Sequence, residues 1–357
     1  MGSRGWGEDS DAATLAAPAW GTSPRAASWL KKIVPACAFT RYATGRFAVG
    51  EAHRFAVRDF GETIARATLP MRQVRLESQE MKPTLLFVHG MFLTAKSWEH
   101  WIEFFDQRGY RCKAPNWPLH DGEPALLRTE VPPGTGRLDL DTLVDAMARA
   151  AAAEARPPIV IGHSLGGLIA QLLAARGLVE AAVAICPVAP NGLLATDWGF
   201  LRNSAQIANP LRGDDPFIIT PEGFHRTFTN MMSREQSDEM FARYAVHESR
   251  NVLRDAMGPS GCVDVRSPHV PLLFIGAEAD EIIPPKLVRK NADSYESRSS
   301  VREYREFPGR GHFIAGEPGW EDVAHYVHEW LERHAVGEAA SVSASGAAGR
   351  SLSHPVD

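Results

Sequence analysis

One serine of this sequence, Ser164, stands between glycines in a pattern that could do chemistry. Around it, residues 158–170 change from apolar, β-branched side chains to small and apolar ones, which predicts a strand, a sharp turn and a helix. Gly162 and Gly166 remove the side chains that would collide in such a turn, so Ser164 is pushed out of the sheet at the tip of the turn, as a nucleophile requires. The amide of Leu165 opens the helix and can stabilise negative charge that develops on a substrate oxygen.

A glycine-bracketed serine is also typical of ordinary turns, so nucleophilic catalysis requires a base and an acid elsewhere in the chain. His312 lies in a glycine-rich loop after the last predicted strand, where it can take the proton of Ser164. Asp280 follows a buried strand and can orient and stabilise that histidine. Glu278 and Glu281 stand beside it as alternative acids.

A second donor to the substrate oxygen is expected after the apolar strand at residues 84–88, which runs into a His-Gly-Met-Phe sequence at residues 89–92. In a parallel sheet, the loop at the carboxyl end of a strand faces the ligand crevice. The amide of Met91, with that of Phe92 as a further candidate, can therefore point at the same spot as the amide of Leu165. A simple strand-to-loop junction is the alternative interpretation.

Strands and helices alternate along the chain and would position these residues. Apolar runs predict strands near residues 71–77, 84–88, 110–114, 158–161, 181–186, 270–276 and 301–307. Helical periodicity marks residues 95–108, 138–154 and 320–334, together with segments that begin at Leu165 and Pro284. The alternation predicts an α/β fold with a mostly parallel central sheet and flanking helices.

Four regions with different patterns suggest a domain organisation. The sequence predicts that residues 1–70 form a poorly ordered or loosely packed N-terminal extension and that residues 337–357 form a disordered tail. The α/β core would comprise residues 71–187 and 262–336. Residues 188–261 interrupt the alternation with amphipathic runs, which predicts an inserted helical cap.

The predicted cap and the loops around it offer side chains for a substrate pocket. An apolar group could be enclosed by the candidates Phe92, Phe217, Phe224, Phe228, Met231 and Met232. At helical spacing, those from the cap could equally form its own core. His120 and Asp121, in a loop after a strand, could touch a substrate or merely satisfy loop backbone groups.

Composition excludes several classes of protein. The 357 residues carry a net charge of −5 and a pI near 6.2, without the basic stripe of a nucleic-acid-binding protein. No run reaches the roughly 18 apolar residues that a membrane helix needs. The four cysteines are too scattered for a disulfide framework or a zinc site, and no convincing signal peptide is present, which favours the cytoplasm. His325 and His328 lack further ligands, so no metal is expected, and the sequence predicts no oligomeric state.

The order of oxyanion loop, serine, aspartate and histidine resembles the α/β-hydrolase fold family over about residues 71–336. The motifs at residues 89–91, 162–167, 276–280 and 309–313 are similar to those of capped esterases, perhydrolases and plant methylesterases. The resemblance implies Ser164 as nucleophile, Asp280 as acid and His312 as base. It implies the amides of Met91 and Leu165 as the oxyanion hole. No His-Gly-Gly-Gly run is present, which disfavours the hormone-sensitive-lipase branch, and a serine nucleophile argues against dehalogenase or epoxide hydrolase chemistry.

The function expected from these observations is hydrolysis of carboxylic esters with small to medium apolar groups, through an acyl-enzyme and without a cofactor. The partner would be a small-molecule ester. A perhydrolase or a lyase with the same three residues, a ligand receptor with slow turnover and a noncatalytic scaffold are the alternatives.

Overall fold

The structure is a computed structural model that describes residues 82–194 and 207–335. The strand predicted at residues 71–77, the N-terminal extension and the tail lie outside these residues. The proposed division into core, cap and terminal segments therefore stays a prediction.

A six-stranded parallel sheet forms the centre of the described chain, in the order β2-β1-β3-β4-β5-β6. Its strands are β1 (Thr84–Val88), β2 (Arg111–Lys113), β3 (Ile159–His163), β4 (Ala181–Ile185), β5 (Leu272–Ala277) and β6 (Arg302–Phe307). The four central strands are buried along their whole length, as expected for parallel strands covered on both faces. The predicted α/β class with a parallel sheet is confirmed.

Helices cover both faces of this sheet. They are α1 (Glu99–Asp106), α2 (Pro124–Thr129), α3 (Leu140–Ala152), α4 (Leu165–Ala175), α5 (Asn191–Leu194), α6 (Pro221–Thr227), α7 (Arg234–Tyr244), α8 (Arg250–Ala256), α9 (Pro285–Asp293) and α10 (Trp320–His334). Short 3-10 helices span Ala95–Trp98, Thr135–Arg137, Pro210–Arg212 and Pro259–Gly261.

Side chains of β1 alternate between two hydrophobic clusters, one on each face of the sheet. Leu85 and Phe87 join the cluster that contains side chains of α1 and α10. Leu86 and Val88 join the cluster that contains side chains of α3, α4 and α9. The strand period of two thus divides the core into two layers and fixes the sheet between them.

The chain between β4 and β5 contributes helices rather than strands of the sheet in its described residues. The amphipathic run at residues 221–232 is helical only as far as Thr227. Beyond it, the amide of Thr229 bonds to the carbonyl of Phe224 at 3.1 Å, which is a wider turn than that of an α-helix. Ser233 then begins α7 with a capping box to Gln236, so the two helices need a turn between them.

Within the described ranges, no helix is long and apolar enough to cross a lipid bilayer. Cys112, Cys186 and Cys262 form no disulfide in this part of the chain, and Cys37 lies outside it. The cytoplasmic location stays a prediction.

Candidate active site

The structure brings Ser164, His312 and Asp280 together at the carboxyl ends of β3, β6 and β5. His312 Nε2 lies 3.1 Å from Ser164 Oγ, and His312 Nδ1 lies 2.7 Å from Asp280 Oδ2. All three residues are buried. Both ring nitrogens are therefore engaged, one with a hydroxyl and one with a carboxylate, which is the geometry of an activated serine nucleophile.

The turn between β3 and α4 holds Ser164 in a conformation that few side chains adopt, with φ 55° and ψ −118°. A Cβ atom on Gly162 would lie 2.0 Å from the carbonyl oxygen of Gly166. One on Gly166 would lie 2.2 Å from the carbonyl oxygen of Val88. The glycines on either side are thus required by close backbone approach, and the strain is concentrated at Ser164.

Asp280 is the acid that contacts His312. Its Oδ1 accepts the amides of Ile282 and Ile283, each at 2.8 Å, while Oδ2 faces the imidazole. These amides hold the carboxylate in one orientation, with Oδ2 turned toward the histidine. The alternative acid Glu278 is exposed and accepts the amide of Gly309 at 2.8 Å, and Glu281 is also exposed.

The loop after β1 packs directly on Ser164. A Cβ atom on Gly90 would lie 2.9 Å from Ser164 Cβ, so a larger residue there would displace the serine. His89 Nδ1 donates to the carbonyl of Gly90 at 3.0 Å, and Phe92 adopts a positive φ of 67°. Met91 and Phe92 line the same cavity as Ser164, and Leu165 is the first residue of α4. The residues predicted to form the oxyanion hole thus border the nucleophile.

A cavity of about 240 Å³ opens onto Ser164 and is bordered mainly by apolar side chains. The described residues that line it are Met91, Phe92, Ser164, Val188, Ile207, Phe217, Ile219, Thr220, Gly223, Arg226, Thr227, Phe228, Leu253, Glu281, Ile282 and Ile283. Three of the six predicted pocket residues, Phe92, Phe217 and Phe228, are among them.

The other three predicted pocket residues do not line this cavity, which corrects the expectation from the sequence. Phe224 is fully buried, stacked on the ring of Phe228 at 5.0 Å and packed edge-on against Phe241 at 5.6 Å. It belongs to the packing behind the pocket wall. Met231 is 49% exposed, and Met232 is buried outside the lining.

His120 and Asp121 also lie outside the cavity lining. His120 is buried with its Nε2 3.3 Å from Glu248 Oε2, on the chain between α7 and α8. Asp121 is exposed and accepts from Asn116 Nδ2 at 3.2 Å. The histidine therefore has a structural partner that its local sequence does not reveal.

Cys186, which sequence reasoning did not single out, lies against the triad. It follows β4 with a positive φ of 43° and is fully buried. Its Sγ, a carboxylate oxygen of Asp280 and a ring nitrogen of His312 all lie within 4.8 Å of one another. Burial and then the charge of Asp280 raise the pKa of the thiol, so it stays protonated. Asp280 and His312 are hydrogen-bonded to each other here, and we assign no metal to this group.

Glu317 is a second carboxyl group beside the triad that sequence reasoning missed. It is 2% exposed, and both its oxygens lie 3.3 Å from the amide of Gly311, next to His312. Burial raises its pKa to about 7, against the opposing effects of the Gly311 amide and Arg310, and the charge of Asp280 adds to the increase. No motif marks this residue: Gly311 and Arg310 lie close to it in the sequence, but its proximity to Asp280 arises only in the folded chain.

Glu317→Gln is expected to reduce the loss of stability as the pH rises. The folded-state pKa of Glu317 lies above the ordinary glutamate pKa of 4.5, so the folded protein holds an extra proton between those two values. The stability that this extra proton contributes is fully present below the unfolded-state pKa of Glu317, and it is lost as the pH rises through the folded-state pKa of about 7. Urea unfolding from about pH 5 to pH 8 should show a smaller decrease for Glu317→Gln than for wild type. The exposed Glu278→Gln is the control, and an unchanged pH dependence in Glu317→Gln would contradict the shift.

The parallel sheet and the site at its carboxyl edge together define the class of α/β hydrolases. Residues 85–325 match the alpha/beta hydrolase family, and the chain belongs to that family. No curated protein matches the chain significantly.

Several solved structures share the fold at low identity. A monoacylglycerol lipase from Paleococcus ferrophilus is 20% identical, with a TM-score of 0.54, covering 71% of this chain and 96% of that one. A methylesterase from Arabidopsis is 13% identical, with a TM-score of 0.51 and coverage of 70% and 99%. A pyrethroid hydrolase from Sphingobium faniae is 15% identical, with a TM-score of 0.51 and coverage of 70% and 97%. At these identities the likeness concerns the fold.

Proposed function

We propose that the protein is a serine hydrolase that cleaves carboxylic esters with small to medium apolar groups through an acyl-enzyme. The observation that carries the proposal is the chain of contacts from Ser164 Oγ through His312 to Asp280, at 3.1 Å and 2.7 Å. The named activities of the structural neighbours, a lipase, a methylesterase and a pyrethroid hydrolase, all concern esters and support the same class of reaction.

In the proposed reaction, Ser164 Oγ attacks the ester carbonyl while His312 Nε2 takes its proton. Asp280 accepts from His312 Nδ1, which fixes the tautomer and stabilises the imidazolium that forms. The amides of Met91 and Leu165 are proposed to stabilise the oxyanion. His312 then returns the proton to the leaving alcohol, and water releases the acid by the same route in reverse.

The cavity supports a preference for apolar groups of limited size. Its volume of about 240 Å³ lies below the roughly 300–1,000 Å³ typical of sites for drug-sized ligands. Phe92, Phe217 and Phe228 form aromatic parts of its wall, with Phe92 edge-on to the other two rings at 5.7 and 6.2 Å. Each buried CH₂ contributes about 0.8 kcal/mol, or roughly a fourfold gain, until the cavity is full.

A series of p-nitrophenyl esters with acyl chains from two to twelve carbons tests this proposal. Catalytic efficiency of the wild type is expected to rise with chain length and then to level off or fall. Phe228→Ala enlarges the cavity and should move the optimum to longer chains. Phe224→Ala is the matched control, because it also removes a buried phenylalanine ring, but one that lies behind the cavity wall. It should lower the melting temperature and leave the chain-length optimum unchanged.

An unchanged chain-length optimum in Phe228→Ala would contradict the role of this ring in the pocket. Absence of turnover with every ester would contradict the esterase proposal. Peroxide-dependent halogenation and cyanohydrin cleavage, assayed on the same samples, would then identify a perhydrolase or a lyase with the same three residues.

A further inference from the structure

The imidazole of His163, the residue before Ser164, contacts the backbone of His312. Its Nε2 lies 2.8 Å from the carbonyl oxygen of His312, and the side chain is only 2% exposed. Because a carbonyl oxygen can only accept, His163 Nε2 must carry the proton and donate. The two ring centroids are 4.9 Å apart.

Backbone contacts also hold the residues on either side of His312. The amide of Gly311 faces the carboxyl group of Glu317 at 3.3 Å, and the amide of Phe313 donates to the carbonyl of Phe228 at 2.9 Å. These two contacts satisfy amide groups. The carbonyl of His312 itself is held by the side chain of His163, which comes from the nucleophile turn.

His163 remains neutral over the whole range in which an ester hydrolase is assayed. Burial, and then the proximity of His312, lower its pKa to about 3, although the hydrogen bond to the carbonyl acts in the opposite direction. Neutrality matters because His312 gains a proton during the proposed reaction. A cation at 4.9 Å would oppose that charge in a buried site, whereas a neutral N–H holds the backbone without repelling it.

We propose that His163 is a positioning residue that fixes the backbone of His312 relative to Ser164. The inference rests on the proposed function, since it assigns His312 as the base. His163 and Ser164 are adjacent in one rigid turn, so a single element would set both the nucleophile and the loop of its base. Misplacement by about 1 Å in such a pair can cost roughly 100-fold in rate. The 3.1 Å contact between His312 and Ser164 depends on the relative position of the turn and the loop that carry them.

Two substitutions at His163 separate positioning from packing. His163→Leu removes the donor at similar bulk, whereas the amide of His163→Gln can still donate to the His312 carbonyl. We expect kcat of the leucine variant to fall roughly 10- to 100-fold with little change in KM, and the glutamine variant to recover most of that loss.

A wild-type kcat in His163→Leu would overturn the proposal. So would equal losses of kcat in the leucine and glutamine variants, because that result indicates a packing role. A wild-type protein that a fluorophosphonate does not label would contradict the serine hydrolase proposal, a result distinct from either of these.

Nitrogen NMR of the wild-type imidazoles tests the contact without any substitution, should a variant fail to fold. His163 is expected to stay neutral with its proton on Nε2 from about pH 5 to pH 9. A proton on Nδ1, or titration near the ordinary histidine pKa, would overturn the proposal.

Discussion

Replacing Ser164 by alanine is expected to abolish labelling by a fluorophosphonate and to lower ester turnover by about 1,000-fold or more. Ser164 Oγ is the hydroxyl in contact with the proposed base, His312, and lies at the mouth of the cavity. Without this oxygen no acyl-enzyme can form, and the remaining rate would come only from substrate binding and the oxyanion hole. The fold should persist, because alanine fits the space of serine.

Ser97→Ala is a suitable control for this experiment. Ser97 is buried, and its hydroxyl donates to the carbonyl of Thr94 at 2.8 Å, so the substitution also removes a buried serine oxygen. Ser97 is not among the residues that line the cavity, so this variant should be labelled like the wild type. Labelling that persists in Ser164→Ala would show that another residue is the nucleophile.

Disrupting the pair of His120 and Glu248 is expected to be the most damaging change away from the triad. Both side chains are almost completely buried, at 1% and 0% exposure, with 3.3 Å between His120 Nε2 and Glu248 Oε2. Burial is the largest single effect and lowers the pKa of His120, but the carboxylate of Glu248, together with the Pro118 carbonyl and the charge of Asp121, outweighs it and the pKa is raised. The raised pKa favours the protonated histidine, which forms a buried ion pair with Glu248.

The ion pair also supports the cavity wall. The backbone of Glu248 exchanges two hydrogen bonds with Phe217, each at 2.8 Å, and Phe217 lines the cavity. Either His120→Ala or Glu248→Ala leaves the other charge buried without its partner, which costs roughly 3–5 kcal/mol in the free energy of unfolding. The double variant should be less destabilised than the sum of the two, and urea unfolding in a double-mutant cycle measures this coupling.

The pH dependence of this coupling has a definite sign. The pKa of His120 is raised above the ordinary histidine value of 6.5. The stability that the ion pair contributes is therefore fully present below that value and is lost as the pH rises through the folded-state pKa. The difference in unfolding free energy between wild type and His120→Ala should therefore shrink in alkaline solution. A difference that grows with pH, or losses that simply add in the double variant, would contradict the ion pair.

Features with a local physical cause could be predicted from the sequence. Apolar runs of five or six residues marked the buried strands, since a parallel strand covered on both faces needs no polar side. The glycines beside Ser164 marked the turn, because only glycine allows the approach of Gly166 to Val88. Asp280 and His312 could be proposed as partners of Ser164 because the carboxyl ends of parallel strands meet at one edge of the sheet.

Features that depend on distant packing were decided only by the tertiary structure. Phe224 and Phe228 are one helical turn apart and look alike in the sequence, yet only Phe228 borders the cavity, because the direction of the helix relative to Ser164 selects one ring. The sequence favoured Asp280 over Glu278, but only the structure shows which of the two carboxylates contacts the His312 ring. The burial of Glu317 beside Asp280 and His312 was equally hidden from the sequence. Several elements pack around this side chain at once, so no local pattern could reveal it.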